Sequence, residues 1–109
     1  IDVPPAHVLA QDEIFGPVAA LQTFTDQGDV ITRANATEYG LVAYVFTENM
    51  KRGMQVCEAL DFGMVGLNRG LVSDPAAPFG GTKQSGLGRE GAHEGMLEFM
   101  ETQYISAEW

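Results

Sequence analysis

Lysine and arginine are scarce in this chain. They number 6 against 15 aspartates and glutamates, a formal charge of −9 at pH 7. Nucleic acids and anionic membranes are gripped by clustered cations, so neither is an expected partner. Cysteine occurs once, at Cys57. No internal disulfide can form, and a reducing compartment, the cytoplasm, is the simpler expectation. No apolar run approaches the ~20 residues of a membrane-spanning helix, and no signal-peptide pattern is visible. The histidines, His7 and His93, stand far apart with no second ligand near either, so no metal site is expected. A starting Met is missing as well. The chain opens in mid-pattern at Ile1-Asp2-Val3-Pro4-Pro5 and reads as a piece of a longer protein.

What is present supports a folded α/β segment. Hydrophobic residues make up 45% of the 109, enough to argue against disorder. Pro17 to Phe24 is apolar with β-branched and aromatic members and reads as a strand. Asp29 reads as the cap of a helix whose inner face holds Val30, Ile31 and Ala34, with Gly40 as its stop. Leu41 to Thr47 is nearly continuous in apolar residues, as in a strand buried on both faces. Asn49 should cap the next helix, where Met50, Met54, Cys57 and Leu60 form one stripe. Gly63 ends it, and Met64 to Asn68 reads as a third short strand. Strand–helix–strand–helix–strand alternation implies a parallel sheet. A long loop follows, Arg69 to Gly88. Met96, Leu97 and Met100 then mark a final helix, weakened by Gly95. Gln103 to Trp109 alternates like a strand that has no obvious place in the parallel sheet. Two units result: residues 1–102, and a terminal strand at 103–109.

The chemistry concentrates in Pro78 to Gly91, PFGGTKQSGLGREG. Its glycines allow close backbone approach. Phe79, Lys83, Ser85, Arg89 and Glu90 stand at distinct places among them, as in a loop that lines a site. Gly86 to Gly91 fits G-x-G-x-x-G, but no strand of a βαβ unit leads directly into it, so a dinucleotide fingerprint is not expected. Cys57 sits between Val56 and Glu58 on an apolar stripe with no His or Lys beside it, and reads as a buried structural thiol.

The glycine-rich run resembles, almost letter for letter, the C-terminal signature of the aldehyde dehydrogenases. DEIFGPV, at Asp12 to Val18, resembles a second signature of that family at the expected distance upstream. The similarity runs from about Val3 to Trp109 and covers only the last part of a family member. It implies the parallel-sheet part of the catalytic domain followed by an oligomerisation strand. It also implies a parent enzyme that uses NAD or NADP, acts on a small aldehyde and assembles as a dimer or tetramer. Gly70 to Pro78 resembles the succinate-semialdehyde branch.

Residue by residue, the resemblance assigns roles beside plainer ones. Glu13 matches the acidic residue that accepts hydrogen bonds from the nicotinamide ribose; by itself it reads as a surface carboxylate. Phe15 matches the ring laid against the nicotinamide. Ser73 matches a serine holding the substrate's distal carboxylate, or else satisfies its own loop. Phe79 matches the aromatic lining the aldehyde pocket, or else is a core residue. Glu90 matches a glutamate that relays protons from the hydrolytic water, or else pairs with Lys83. Arg89 and Glu101 match charged positions near subunit contacts. The family's nucleophilic cysteine lies upstream of DEIFGPV, so it is not Cys57, and this chain alone is expected to be inactive. The competing reading is a non-catalytic module used in folding or assembly. Asp12, Arg69, Glu94 and Gln103 depart from the usual residues. None is expected to touch the chemistry directly, though the last two bear on subunit contacts.

Overall fold

The computed structural model describes residues 2–109, and Ile1 lies outside them. In chain order the elements are α1 (Val8–Gln11), α2 (Gln27–Asn35), β1 (Tyr39–Gly40), β2 (Val42–Val45), α3 (Met50–Ala59), β3 (Met64–Leu67), β4 (Thr82–Lys83) and α4 (Ala92–Leu97).

The centre is the β2–α3–β3 unit. β2 and β3 pair in parallel, with Val42 opposite Met64 and Val45 opposite Leu67. Asn49 caps α3 as the sequence implies, its side chain accepting from the Arg52 N–H at 3.0 Å. The face of α3 turned inward is one step off the expected stripe. Gly53 is buried and Val56, Cys57 and Leu60 are half-buried, while Met50 and Met54 are exposed. Gly53 permits this because a Cβ there would press on the Leu67 side chain at 2.8 Å. Cys57 is therefore half-buried on the inner face. β2 is not covered on both faces either: Tyr44 is exposed, as is Phe46 just beyond the strand.

The expected first strand is absent. Pro17 to Phe24 has no regular structure. A strand needs a ladder of bonds, and here Leu21 C=O accepts a single backbone bond from Val3 N–H at 3.0 Å. Asp2 adds a side-chain link to the Thr23 hydroxyl at 2.7 Å. α2 begins earlier than expected. Asp26 caps it, accepting from Asp29 N–H at 2.8 Å. Asp29 lies in the first turn and pairs with Arg33 at 3.0 Å. The helix ends at Asn35, well before Gly40. Gly40 belongs to β1, where a Cβ would strike the Thr82 side chain.

The segment expected as one long loop contains β4, antiparallel to β1 with Tyr39 opposite Lys83. α4 spans Ala92–Leu97 only, so Met100 lies beyond it. Gln103–Trp109 forms no strand among the described residues and is exposed throughout. A strand is defined by a neighbour for its N–H and C=O groups, and this segment has none among the described residues.

The whole is extended, 71 × 32 × 25 Å, with a radius of gyration of 18.1 Å. A compact domain of this length would have one of roughly 13 Å. No hydrophobic residue among those described is fully buried. None of the described helices is long and apolar enough to cross a membrane.

Candidate functional site

The glycine-rich run folds back on itself. Phe79 N–H donates to Glu90 C=O at 2.8 Å and Glu90 N–H donates to Phe79 C=O at 2.7 Å. Two residues singled out from the sequence thus become direct neighbours across an antiparallel bridge.

The cations inside the loop act as struts. Lys83 Nζ donates to the carbonyls of Asn35 at 3.0 Å and Thr37 at 3.3 Å. It also pairs with Asp61 at 3.2 Å and lies 5.4 Å from the centre of the Phe62 ring. Asn35 completes the brace, accepting from Asp61 N–H and donating to Ala59 C=O, both at 2.8 Å. Lys83 is therefore held by Asp61, which removes the expected alternative of a Lys83–Glu90 pair. Arg89 Nη1 donates to the carbonyls of Gly81 at 2.7 Å and Gly88 at 2.9 Å. Arg89 N–H reaches Glu98 at 3.2 Å. Ser85 accepts from Gly40 N–H at 3.0 Å through its hydroxyl. Only glycine fits where Gly63 meets this loop, because a Cβ would strike the Gly80 carbonyl.

These contacts leave a hollow over the glycines, lined among others by Phe79, Arg89, Glu90, Glu98 and Phe99. Phe79 is half-buried in its wall, while Glu90 is exposed. The other singled-out residues lie elsewhere. Ser73 is exposed on the loop after β3, and Glu13 is exposed in an irregular stretch after α1. Phe15 stands 93% exposed beside it. Neither this hollow nor a second one near Leu9, Phe24 and Ala34 includes Glu13, Phe15 or Ser73. Glu13 does reach one neighbourhood through its charge. The Tyr39 hydroxyl is pushed above its ordinary value of 10.0, first by the charge of the adjacent Glu38 and least by those of Asp12 and Glu13.

The G-x-G-x-x-G match at Gly86 to Gly91 lies between antiparallel β4 and the short α4. That is not the parallel strand-to-helix turn a dinucleotide fingerprint requires. Among the described residues no group of three or more His, Cys, Asp or Glu could hold a metal ion. Sequence reasoning missed the Asn35–Asp61–Lys83 brace. Its members lie far apart in the chain, and no local pattern marks them.

The aldehyde dehydrogenase family model matches residues 1–105. The chain belongs to the aldehyde dehydrogenase family. Within that family it is 55% identical over 104 residues to the succinate-semialdehyde dehydrogenase of Paenarthrobacter nicotinovorans, covering 95% of this chain and 23% of that protein. It is 47% identical to the NADP(+) succinate-semialdehyde dehydrogenase GabD of Escherichia coli K12, covering 96% of this chain and 22% of the relative. The structure of the NAD+ complex of a Bacillus cereus aldehyde dehydrogenase superposes with a TM-score of 0.88 at 43% identity, over 92% of this chain and 20% of that one. The chain thus spans roughly a fifth of the length of these aldehyde dehydrogenases.

Proposed function

We propose that this chain is the C-terminal part of an NAD(P)-dependent dehydrogenase that oxidises succinate semialdehyde to the dicarboxylate. The observation that carries the reading is the closed glycine-rich loop. It sets Phe79 and Glu90 side by side at the rim of one hollow, an aromatic wall next to a carboxylate able to take a proton. The similarity to two succinate-semialdehyde dehydrogenases supports the substrate.

The residues present fit a nicotinamide nucleotide. Glu13 is exposed and has no ion pair among the described residues. Its carboxylate only accepts hydrogen bonds, which suits a ribose diol. Phe15 offers an uncovered aromatic face. When bound, the nicotinamide supplies the hydride acceptor. Phe79 lines the aldehyde pocket, and the Ser73 hydroxyl donates to the distal carboxylate. Glu90 takes a proton from the water that hydrolyses a thioester formed on a cysteine outside these residues. Gln103–Trp109 pairs with a neighbouring subunit in a dimer or tetramer. The charge balance and single thiol suit a cytoplasmic enzyme.

A free-standing non-catalytic module is the weaker reading. The accessible surface is 8676 Å², whereas a folded monomer of this mass exposes about 5,900 Å². A surplus of that size calls for a large covering body.

The test is Ser73→Ala in the full-length enzyme. A hydrogen bond to a charged carboxylate contributes roughly 1.5–3 kcal/mol. Succinate semialdehyde should lose about that much in kcat/KM, and an uncharged aldehyde of similar length should be spared. Wild-type enzyme that oxidises both aldehydes equally well would refute the substrate assignment.

A further inference from the structure

Arg69 is expected from the sequence to stand clear of the chemistry, and the structure sets it just past the carboxyl end of β3. β3 ends at Leu67, and Asn68 turns the chain with a φ of 52°. Asn68 is clamped there. Its side chain accepts from Thr47 N–H and donates to Thr47 C=O, both at 2.8 Å. Its own N–H donates to Val45 C=O at 2.8 Å. Arg69 therefore starts from a fixed point at the carboxyl end of the parallel pair, where open α/β sheets bind their ligands.

The side chain is held but not consumed. Its Nε donates to Leu71 C=O at 2.6 Å, which ties the guanidinium to the loop that carries Ser73. Both terminal nitrogens have no protein partner among the described residues. Between residues 69 and 91 the other cations are Lys83 and Arg89, and both serve as struts. The chain's net charge of −9 disfavours an anionic substrate unless a local cation offsets it. A planar guanidinium with its outer edge free matches a carboxylate in two parallel hydrogen bonds.

We propose that Arg69, together with Ser73, reads the distal carboxylate of an ω-carboxylated aldehyde and so sets the preference for that substrate class. This rests on the semialdehyde reading above.

The experiment compares succinate semialdehyde with butanal in the full-length enzyme, for wild type, Arg69→Ala, Arg69→Lys and Lys51→Ala. Arg69→Ala should lower kcat/KM for the semialdehyde about 10- to 100-fold, mainly through KM. Butanal should change by less than about twofold, the ordinary scatter of a surface substitution. Arg69→Lys should restore part of the loss. Lys51→Ala, which removes a charge from α3, should leave the ratio of the two substrates unaltered. Competitive inhibition by succinate should weaken in Arg69→Ala in step with KM. Equal losses for both aldehydes, no loss in Arg69→Ala, or an equal shift in Lys51→Ala would overturn the inference. The two readings separate cleanly. A wild type without semialdehyde preference defeats both, whereas a preference lost in Ser73→Ala but kept in Arg69→Ala defeats only this one.

Discussion

Glu13 and Glu90 are both exposed carboxylates in the same acidic chain, and only their neighbours tell them apart. Glu13 has irregular backbone around it and a bare aromatic ring two residues on. Glu90 has its backbone tied to Phe79. Their types and spacing were readable from the two motifs, but the bridge between Phe79 and Glu90 was not. If Glu13 clamps the ribose, Glu13→Gln in the full-length enzyme should slow hydride transfer on the order of 10²-fold, with little change in melting temperature. Stopped-flow absorbance of the reduced nicotinamide reads this directly. A burst of unchanged rate would return Glu13 to a surface carboxylate. Caps show the same division. Asn49 was legible because a lone Asn precedes a clear helical run. Asp26 and Asp29 compete over one short stretch, and the fold chose the first.

Elements here are joined by polar braces more than by packed side chains. Lys83 links β4 to the end of α2 and to the turn before β3. Its bonds to two carbonyls do most of the holding, since Asp61 is largely exposed and such a pair is worth under about 1 kcal/mol. Lys83→Met should cost the full-length enzyme about 2 kcal/mol in urea unfolding. Glu90→Gln should leave unfolding unchanged, because Glu90 has no ion pair among the described residues. A matching loss in both variants would mean that the two side chains stabilise one another after all. The β2–α3–β3 unit was readable from local pattern. The missing strand at Pro17–Phe24 was not, because apolar, β-branched composition marks a segment able to join a sheet and does not supply its neighbour.

The molecule as a whole exposes about 2,800 Å² more surface than a compact monomer of its mass. Its terminal segment is among the barest parts, with Tyr104 87% and Ile105 76% exposed. Alternating residues whose backbone groups have no partner among the described residues make a ready edge for another chain. Deleting Gln103–Trp109 from the full-length enzyme should shift sedimentation toward the monomer and lower thermal stability. Retention of the native mass would show that the segment serves its own subunit.

The family and the parallel helix-crossed pair are legible from residue order, as are the candidate side chains for the chemistry. Each is written in short-range pattern: a motif, a capping residue, an apolar period. Tertiary structure alone decided which of those side chains meet. It placed Phe79 against Glu90, gave Lys83 to Asp61 and left the outer edge of Arg69, just past β3, without a partner among the described residues. Those outcomes depend on contacts between residues distant in the chain, which compete for the same partners and leave no local trace.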